Sequence, residues 1–197
     1  MSDPATLAYY AHNASRFTLN SGQSHSRHLD PFLDRLTPEA CILELGCGAG
    51  RDAARMAQRG FVVDATDATP GMLRKMKERF GIEGRVMRFD QLVARERYDA
   101  VWAHACLLHV ARADLPGILL RIERALRPGG LHFASFKLGA GEDRDLIGRW
   151  HNFPEAEWIC TVYRKAGFLI ENECTWPGEG ADGTKREWIA LTVRRPA

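Results

Sequence analysis

The chain has 197 residues, of which 45% are hydrophobic and 26% are charged. This length suits one ordinary domain with a real core, and this composition excludes the disordered and collagen-like classes. The 27 basic and 25 acidic residues leave a formal net charge of +2, which gives no reason to expect bulk electrostatic binding to nucleic acid or to a membrane surface.

The expected compartment follows from the apolar segments and the cysteines. No apolar stretch approaches the ~18–20 residues of a membrane span, and the first residues lack the apolar core of a signal peptide. The five cysteines are scattered and form no C-x-x-C pair, which predicts reduced thiols. His25 and His28 have no third ligand nearby in sequence, so no metal site is predicted. We therefore expect a cytoplasmic protein with no metal and no membrane partner.

The predicted secondary structure starts with two short helices, at residues 7–17 and 29–36, inside a polar segment that spans residues 1–37. From Cys41 onward, short apolar runs alternate with amphipathic patches. The predicted strands are residues 41–45, 61–66, 85–89, 98–103, 131–136, 168–175 and 187–193. The predicted helices between them are residues 52–59, 70–81, 115–126 and 152–166, the last opened by a capping box of Asn152 and Glu155. Residues 137–153 are expected to form a long loop.

The alternation of strands and helices predicts an α/β fold. A repeated strand–helix–strand pattern implies right-handed crossovers and a parallel sheet. The last two strands are joined by a glycine-rich stretch at residues 178–183 instead of a helix, so we expect them to be antiparallel. In open sheets of this kind the ligand lies at the carboxyl ends of the strands.

A glycine-rich turn follows the first predicted strand and opens the next helix. Gly46, Gly48 and Gly50 have the spacing G-x-G-x-G, which differs from the G-x-G-x-x-G of dinucleotide sites. Glycines let the backbone turn sharply and let a ligand approach it closely. Glu44 stands just before them and would repel a pyrophosphate, but it suits a ligand that carries an ammonium group.

Acidic residues also end the second and third predicted strands. Asp67 lies 21 residues after Gly46, where a carboxylate can accept both hydroxyls of a ribose. Asp64 lies inside the same strand and is expected to face solvent or a helix instead. Asp90 ends the third strand, where it can accept a hydrogen bond from an adenine amino group.

These residues resemble a known family, the class I S-adenosylmethionine-dependent methyltransferases, in the small-molecule type with one domain. The resemblance covers about residues 38–175, and the matching segments are 42–50, 67–73, 89–90, 98–102, 107–110 and 126–130. It implies a Rossmann-like sheet of seven strands in the order 3-2-1-4-5-7-6, with strand 7 antiparallel and helices on both faces. It also implies a single domain over residues 1–197, with residues 1–37 as a helical cap over the cofactor site.

The resemblance further implies S-adenosylmethionine as the cofactor, with the glycine turn around its methionine part, Asp67 on its ribose and Asp90 on its adenine. Its implied contacts are Glu44, Gly46, Cys47, Gly48, Gly50, Asp67, Ala68, Met72, Asp90, Gln91 and Ala103, the last beside the sulfonium. The turn continues as Arg51-Asp52, which is similar to the tellurite-resistance and thiopurine-type relatives and favours small, soft or thiol-like acceptors.

Three side chains are candidates for catalysis. His104 and His109 flank the end of the fourth predicted strand, and a histidine titrates near neutral pH, so either suits a general base. The alternative for His109 is packing or a hydrogen bond to the backbone. Tyr10, with Phe17, is expected either to close over the methyl donor or to pack inside an N-terminal helix pair.

The expected partner is a small-molecule acceptor, with the protein as a monomer or a homodimer. Lys137, Arg144 and Arg149 either hold an anionic substrate or lie in a solvated loop. The fourth strand is followed by Ala103-His104-Ala105-Cys106 and not by an Asn/Asp-Pro-Pro-aromatic run, which argues against a nucleic-acid adenine target. Two alternatives stay open: a protein that binds S-adenosylmethionine or S-adenosylhomocysteine without catalysis, and an NAD-dependent oxidoreductase on a similar sheet.

Overall fold

The computed structural model describes residues 3–20 and 25–197, without the side chains of residues 16–20. The strands are β1 (Cys41–Leu45), β2 (Val62–Asp67), β3 (Arg85–Val86), β4 (Tyr98–Ala103), β5 (Leu126–Lys137), β6 (Glu142–Arg144), β7 (Trp150–Asn152), β8 (Leu169–Glu179) and β9 (Lys185–Arg194). The helices are α1 (Pro4–Asn20), α2 (Leu29–Leu33), α3 (Arg51–Gln58), α4 (Pro70–Phe80), α5 (Leu115–Ala125) and α6 (Ala156–Lys165).

The central sheet has seven strands in the order β3-β2-β1-β4-β5-β9-β8. Strands β1 to β5 pair in parallel, and β9 lies antiparallel to both β5 and β8. The order equals the predicted 3-2-1-4-5-7-6 when the separate pair β6–β7 is left out of the numbering. The predicted fold class and the antiparallel final pair are therefore confirmed.

The strands at the centre of the sheet are buried on both faces. In β4, Val101 and Ala103 pack in the core shared with α5 and α6, whereas Ala100 and Trp102 pack in the core shared with α2 and α3. Because successive side chains of a strand point to opposite faces, a strand covered on both sides is largely apolar. This explains why the mainly apolar runs at residues 41–45 and 98–103, each with one acidic residue, have the bounds that the sequence predicts.

Three expectations for the middle of the chain are wrong. Residues 137–153 contain the antiparallel hairpin β6–β7 and not only a loop, with Glu142 opposite Asn152. Asn152 therefore lies in a strand and does not cap a helix, and α6 starts after Glu155 without a side-chain cap. The third strand is also shorter than predicted, because the chain turns into a 3-10 turn at Phe89–Gln91.

The N-terminal segment carries the two predicted helices, with α1 longer and α2 shorter than expected. Phe17 lies among the side chains outside the described part. Within the residues that the structure describes, no helix is long and apolar enough to cross a membrane, and no group of three or more metal-ligating side chains occurs. His25 contacts Asp30 at 2.9 Å, while the ring of His28 packs against Trp176.

A buried polar pair lies between the sheet and α6. His132 is fully buried, and its ring nitrogens lie 3.0 Å from the Val101 carbonyl and 3.0 Å from the Tyr163 hydroxyl. The nitrogen facing the carbonyl must carry the proton, so the other nitrogen accepts from Tyr163. Burial lowers the pKa of His132 to about 4, which keeps the ring neutral at physiological pH.

We predict that His132 makes the fold sensitive to acid. The unfolded chain binds its proton near pH 6.5 and the folded chain only near pH 4, so stability falls as the pH drops through this window. The contribution of one such histidine is roughly 3 kcal/mol. In urea unfolding between pH 7 and pH 4, the double variant His132→Leu/Tyr163→Phe should lose less stability than the wild type. An equal loss in both proteins would contradict the assignment, and Tyr163→Phe alone serves as the control that keeps the histidine.

Candidate functional site

A cavity of about 270 Å³ lies at the carboxyl ends of β1, β2 and β4. Most of its walls come from the loops that follow these three strands and from the start of the chain, and Arg88 and Phe89, which follow β3, also line it. The loops supply Gly46, Cys47, Gly48, Ala49, Ala68, Thr69, His104, Ala105, Cys106 and His109, and the start of the chain supplies Asp3, Thr6, Leu7 and Tyr10. The topology thus brings residues that are about a hundred positions apart to one edge of the sheet, as the strand order predicts.

All three glycines of the turn after β1 have positive φ values, of +64° for Gly46, +55° for Gly48 and +80° for Gly50. A Cβ on Gly46 would lie 2.6 Å from Cys106 Cβ, and a Cβ on Gly50 would lie 2.2 Å from Met76 Cγ. A Cβ on Gly48 would meet no described atom within 4 Å. Gly46 and Gly50 are therefore needed for close packing, whereas Gly48 keeps space open beside the cavity.

Glu44 lines the cavity with a carboxylate that is only 4% exposed. Its Oε2 atom has no hydrogen-bond partner among the described residues. Burial raises the pKa of Glu44 well above its usual range, and the nearby Asp52 acts in the same direction. A buried carboxylate oxygen without a partner is costly, so this group suits a cationic ligand.

Asp67 joins the loops that follow β1 and β2. Its carboxylate accepts the N–H of Gly48 at 3.0 Å and the N–H of Thr69 at 2.7 Å, and it lines the cavity. Burial raises its pKa, and these two backbone hydrogen bonds oppose that effect. Asp64 has a different role, because it accepts the Tyr98 hydroxyl at 2.6 Å and an N–H of Arg85 at 3.0 Å.

Asp52 is a wall residue whose structural role the sequence does not reveal. It is buried, and it accepts the N–H of Ser26 at 2.9 Å and the indole N–H of Trp102 at 3.0 Å. It also contacts Arg51, so one carboxylate joins the N-terminal segment, α3 and β4. Its sequence signals are the Arg51-Asp52 pair noted above and its place as an acid at the second position of a helix that follows a glycine turn.

His104 follows β4 and stacks on Trp102, with Phe133 beside it. Burial lowers its pKa to about 4, and none of the described residues makes a hydrogen bond to its ring. The next residue, Ala105, has a φ of +53° and donates its N–H to Ser135 Oγ at 2.9 Å. A non-glycine residue in this region is strained, and such strain is typical of functional sites.

Tyr10 and His109 meet at the wall of the cavity. The Tyr10 hydroxyl lies 2.9 Å from His109 Nε2, and His109 Nδ1 lies 2.7 Å from the Trp150 carbonyl. The carbonyl accepts only, so Nδ1 carries the proton and Nε2 accepts from Tyr10. Burial lowers the pKa of His109 to about 3 and raises that of Tyr10 to about 12. Both groups are therefore neutral at physiological pH, and His109 does make the backbone hydrogen bond expected as its alternative role.

The three basic residues proposed to hold an anionic substrate all have carboxylate partners. Lys137 lies 3.4 Å from Asp182, Arg144 lies 2.9 Å from Asp3, and Arg149 lies 2.7 Å from Asp145. The hairpin also contacts α1, because the Trp150 N–H donates to Thr6 Oγ1 at 2.8 Å. The sequence analysis expects a long loop here, so it does not predict the hairpin that joins the N-terminal helix to the cavity wall.

Comparisons of sequence and fold show which known proteins this chain is similar to. A family model described as a methyltransferase domain matches residues 42–130. An uncharacterised methyltransferase of Mycobacterium tuberculosis is 35% identical over 153 residues, covering 66% of this chain and 76% of that protein. A ubiquinone biosynthesis O-methyltransferase of a Methylobacterium species is 31% identical over 189 residues, covering 85% of this chain and 72% of that protein.

The chain belongs to the class I S-adenosylmethionine-dependent methyltransferases. The same fold occurs in 1,6-didemethyltoxoflavin-N1-methyltransferase of Burkholderia thailandensis, solved with 1,6-didemethyltoxoflavin and S-adenosylhomocysteine. That structure matches with a TM-score of 0.77 at 20% identity, over 98% of this chain and 87% of the other. The cofactor is S-adenosylmethionine, and the alternative of an NAD-dependent oxidoreductase finds no support among these relatives.

The cavity of this methyltransferase fits its cofactor in two respects. The Glu44 Oε2 atom, which has no partner within the described part of the chain, suits the ammonium group of the methionine part. The open space beside Gly48 permits close approach of a ligand to the backbone. Of the other predicted contacts, Cys47, Ala68 and Met72 line the cavity.

Four predicted cofactor contacts do not line the cavity. Gly50 packs on Met76, and Ala103 is fully buried in the core. Asp90 lies 3.2 Å from Arg88, and Gln91 accepts the Arg88 N–H at 2.9 Å within the 3-10 turn after β3. The role of Asp90 toward adenine and that of Gln91 as a cofactor contact therefore stay predictions.

We predict that alanine at Gly50 mainly lowers the stability of the fold, whereas alanine at Gly48 mainly weakens ligand binding. Gly50→Ala should lower the free energy of unfolding by roughly 2–4 kcal/mol, because its Cβ would overlap Met76 in a left-handed backbone. Gly48→Ala should cost only about 1 kcal/mol but weaken S-adenosylhomocysteine binding, because its Cβ enters open space beside the cavity. Urea unfolding and calorimetry measure the two effects. The packing argument would be contradicted if Gly48→Ala were the less stable variant, or if Gly50→Ala were the weaker binder.

Proposed function

We propose that the protein transfers the methyl group of S-adenosylmethionine to a small acceptor that has a nucleophilic nitrogen or sulfur and no carboxylate. The observation that carries the proposal is the neutral Tyr10–His109 pair at the wall of a cavity whose neighbouring cations are already paired with carboxylates. The expected cytoplasmic location belongs to the same proposal, because the five free thiols suit a reducing compartment. The expected state is a monomer or a homodimer.

The donor side of the site is assigned to the loops after β1 and β2. Glu44 would bind the ammonium group, and the backbone from Gly46 to Gly48 would lie along the methionine part. Asp67 would accept the ribose hydroxyls, since its carboxylate is already fixed by two backbone N–H groups. The segment 1–37 would cover this side as a cap, because Tyr10 on α1 lines the same cavity.

The acceptor side is assigned to Tyr10, His109, His104 and Cys106. S-adenosylmethionine supplies an electrophilic methyl group, so the protein mainly needs to position the nucleophile. Both histidines have pKa values lowered by burial, to about 3 and about 4, which makes them weak bases. Weak bases do not remove a proton from an alcohol, so the site favours a neutral amine or a thiol that ionises near neutral pH.

Charge also selects the acceptor. The Arg51, Arg144 and Arg149 guanidinium groups each contact a carboxylate within the protein. An anionic acceptor would have to compete for these groups or be buried beside Asp67 and Glu44. An uncharged molecule avoids both costs.

We predict methyl transfer to thiols or amines that carry no carboxylate, measured as S-adenosylhomocysteine formation with a panel of acceptors. Each acceptor is paired with an analogue that differs only by a carboxylate, for example thiophenol with mercaptobenzoate. The member without the carboxylate should have a kcat/KM at least about tenfold higher, because burial of an additional unpaired charge is costly. Faster transfer to the members with the carboxylate would contradict the acceptor class. Cofactor binding without transfer to any member would instead indicate a non-catalytic binding protein.

We predict that Glu44→Gln separates stability from cofactor binding. Replacement of a buried carboxyl group whose Oε2 has no hydrogen-bond partner among the described residues should leave the melting temperature of the ligand-free protein equal or higher. Loss of the charge should weaken S-adenosylhomocysteine binding about tenfold or more, because the ammonium group loses a charge-assisted hydrogen bond. Thermal unfolding measures the melting temperature, and calorimetry measures the affinity for S-adenosylhomocysteine. Unchanged affinity would show that Glu44 does not bind the ammonium group, and Glu83→Gln, on the exposed surface, is the matched control.

A further inference from the structure

We propose that Arg149 and Asp145 are positioning residues that orient the Tyr10–His109 pair toward the acceptor. The inference rests on the proposed function, because it assigns a supporting role to two side chains behind the acceptor wall. Neither residue lines the cavity, and neither belongs to the methyltransferase segments that the sequence resembles.

The geometry forms one directed chain of hydrogen bonds. Arg149 donates through one terminal N–H to the Tyr10 hydroxyl oxygen at 2.8 Å. Tyr10 donates its hydroxyl hydrogen to His109 Nε2 at 2.9 Å, and His109 donates from Nδ1 to the Trp150 carbonyl at 2.7 Å. An arginine has no acceptor and a carbonyl has no donor, so both ends of the chain are fixed. The direction of every proton between them follows.

Consecutive residues of the chain hold the two members of the pair. Arg149 holds Tyr10, and Trp150 holds His109 through its carbonyl group. A shift of this backbone by one residue or by one ångström would release both contacts together. The hairpin therefore sets the tautomer of His109 and the hydroxyl direction of Tyr10 at the same time.

Asp145 fixes the guanidinium of Arg149. Its Oδ2 accepts from Nε of Arg149 at 2.9 Å and from a terminal nitrogen at 2.7 Å, and its Oδ1 accepts the Arg149 backbone N–H at 2.9 Å. The ring of His151 adds a contact to Oδ2 at 3.0 Å. The side chains of Asp145 and Arg149 are 1% and 4% exposed, so neither can reorient into solvent without opening the hairpin.

A stability role alone does not account for this ion pair. A buried ion pair loses so much hydration that an apolar pair of similar size is often as stable. Here one of the guanidinium N–H groups is directed at a phenol on another element, 139 residues away in sequence. The charge of Arg149 also lowers the pKa of Tyr10 against the larger opposing effect of burial. The directed N–H group and the charge of Arg149 therefore both act on Tyr10 and not on the hairpin.

The test is a double-variant cycle between Arg149→Met and Tyr10→Phe. If Arg149 acts through Tyr10, each single variant lowers kcat/KM about tenfold or more, and the double variant is no worse than Tyr10→Phe within about twofold. KM for S-adenosylmethionine should change less than kcat. Asp145→Asn should show a partial loss, and Arg149→Lys should restore part of the activity, because a lysine keeps the charge and one donor but not the fork.

Lys137→Met is the matched control, because it removes a buried, carboxylate-paired cation that contacts neither Tyr10 nor His109. The fold-loss of kcat/KM in Lys137→Met, whatever its size, should multiply with the fold-loss in Tyr10→Phe. Multiplication of the Arg149→Met and Tyr10→Phe effects would overturn the proposal and leave Arg149 as a structural residue. Thermal unfolding of each variant identifies a loss of the fold, and Arg149→Lys then replaces Arg149→Met in the cycle.

A second readout does not depend on turnover. The carbon-13 shift of Tyr10 Cζ, with Tyr10→Phe for its assignment, should move in Arg149→Met and stay unchanged in Lys137→Met. If the wild type transfers no methyl group to any acceptor, the proposed function fails while this shift still decides the role of Arg149. An unchanged Tyr10 signal in Arg149→Met would overturn the inference even in an active enzyme.

Discussion

The carboxylate of Asp67 is the contact on which the cavity depends. It accepts the backbone N–H groups of Gly48 and Thr69, which belong to the loops after β1 and β2. Two further hydrogen bonds join the same strands, from Thr66 Oγ1 to the Glu44 carbonyl and from the Cys47 N–H to the Thr66 carbonyl. Because β1 and β2 are adjacent and parallel, their carboxyl ends must meet, and Asp67 fixes the distance between the two loops.

Burial determines the chemistry on the other side of the cavity. The rings of His104 and His109 are held neutral because the protein interior disfavours their charged form. Neutral imidazoles with low pKa values accept hydrogen bonds but are weak bases at physiological pH. Since the reactivity of a sulfonium donor resides in the donor, a site of this kind can work by orientation alone. Because Arg144 and Arg149 are paired with carboxylates, uncharged groups are the ones available to orient an acceptor in the cavity.

The sequence predicts the parts of this protein that depend on local patterns. Strands β1 and β4 are mainly apolar runs, each with one acidic residue (Glu44 or Asp99), and the bounds predicted from the sequence match those of the structure. The hairpin β6–β7 could not be predicted, because its strands are short and polar and its partners at the start of the chain are 141 and 144 residues away. The need for glycine at Gly50 arises from Met76 on another helix, so the sequence suggests a ligand contact where the structure shows packing.

The two proposed sides of the cavity depend differently on the part of the chain that matches the methyltransferase family model, residues 42–130. Glu44 and Asp67, proposed for the donor, both lie inside that part. The proposed acceptor side combines His109, from inside that part, with Tyr10 on α1, from outside it. Arg149, which also lies outside that part, contacts the hydroxyl of Tyr10 from behind the cavity wall. The family match therefore accounts for the methyl donor, whereas the proposed acceptor side also depends on contacts between distant parts of the chain that the match does not cover.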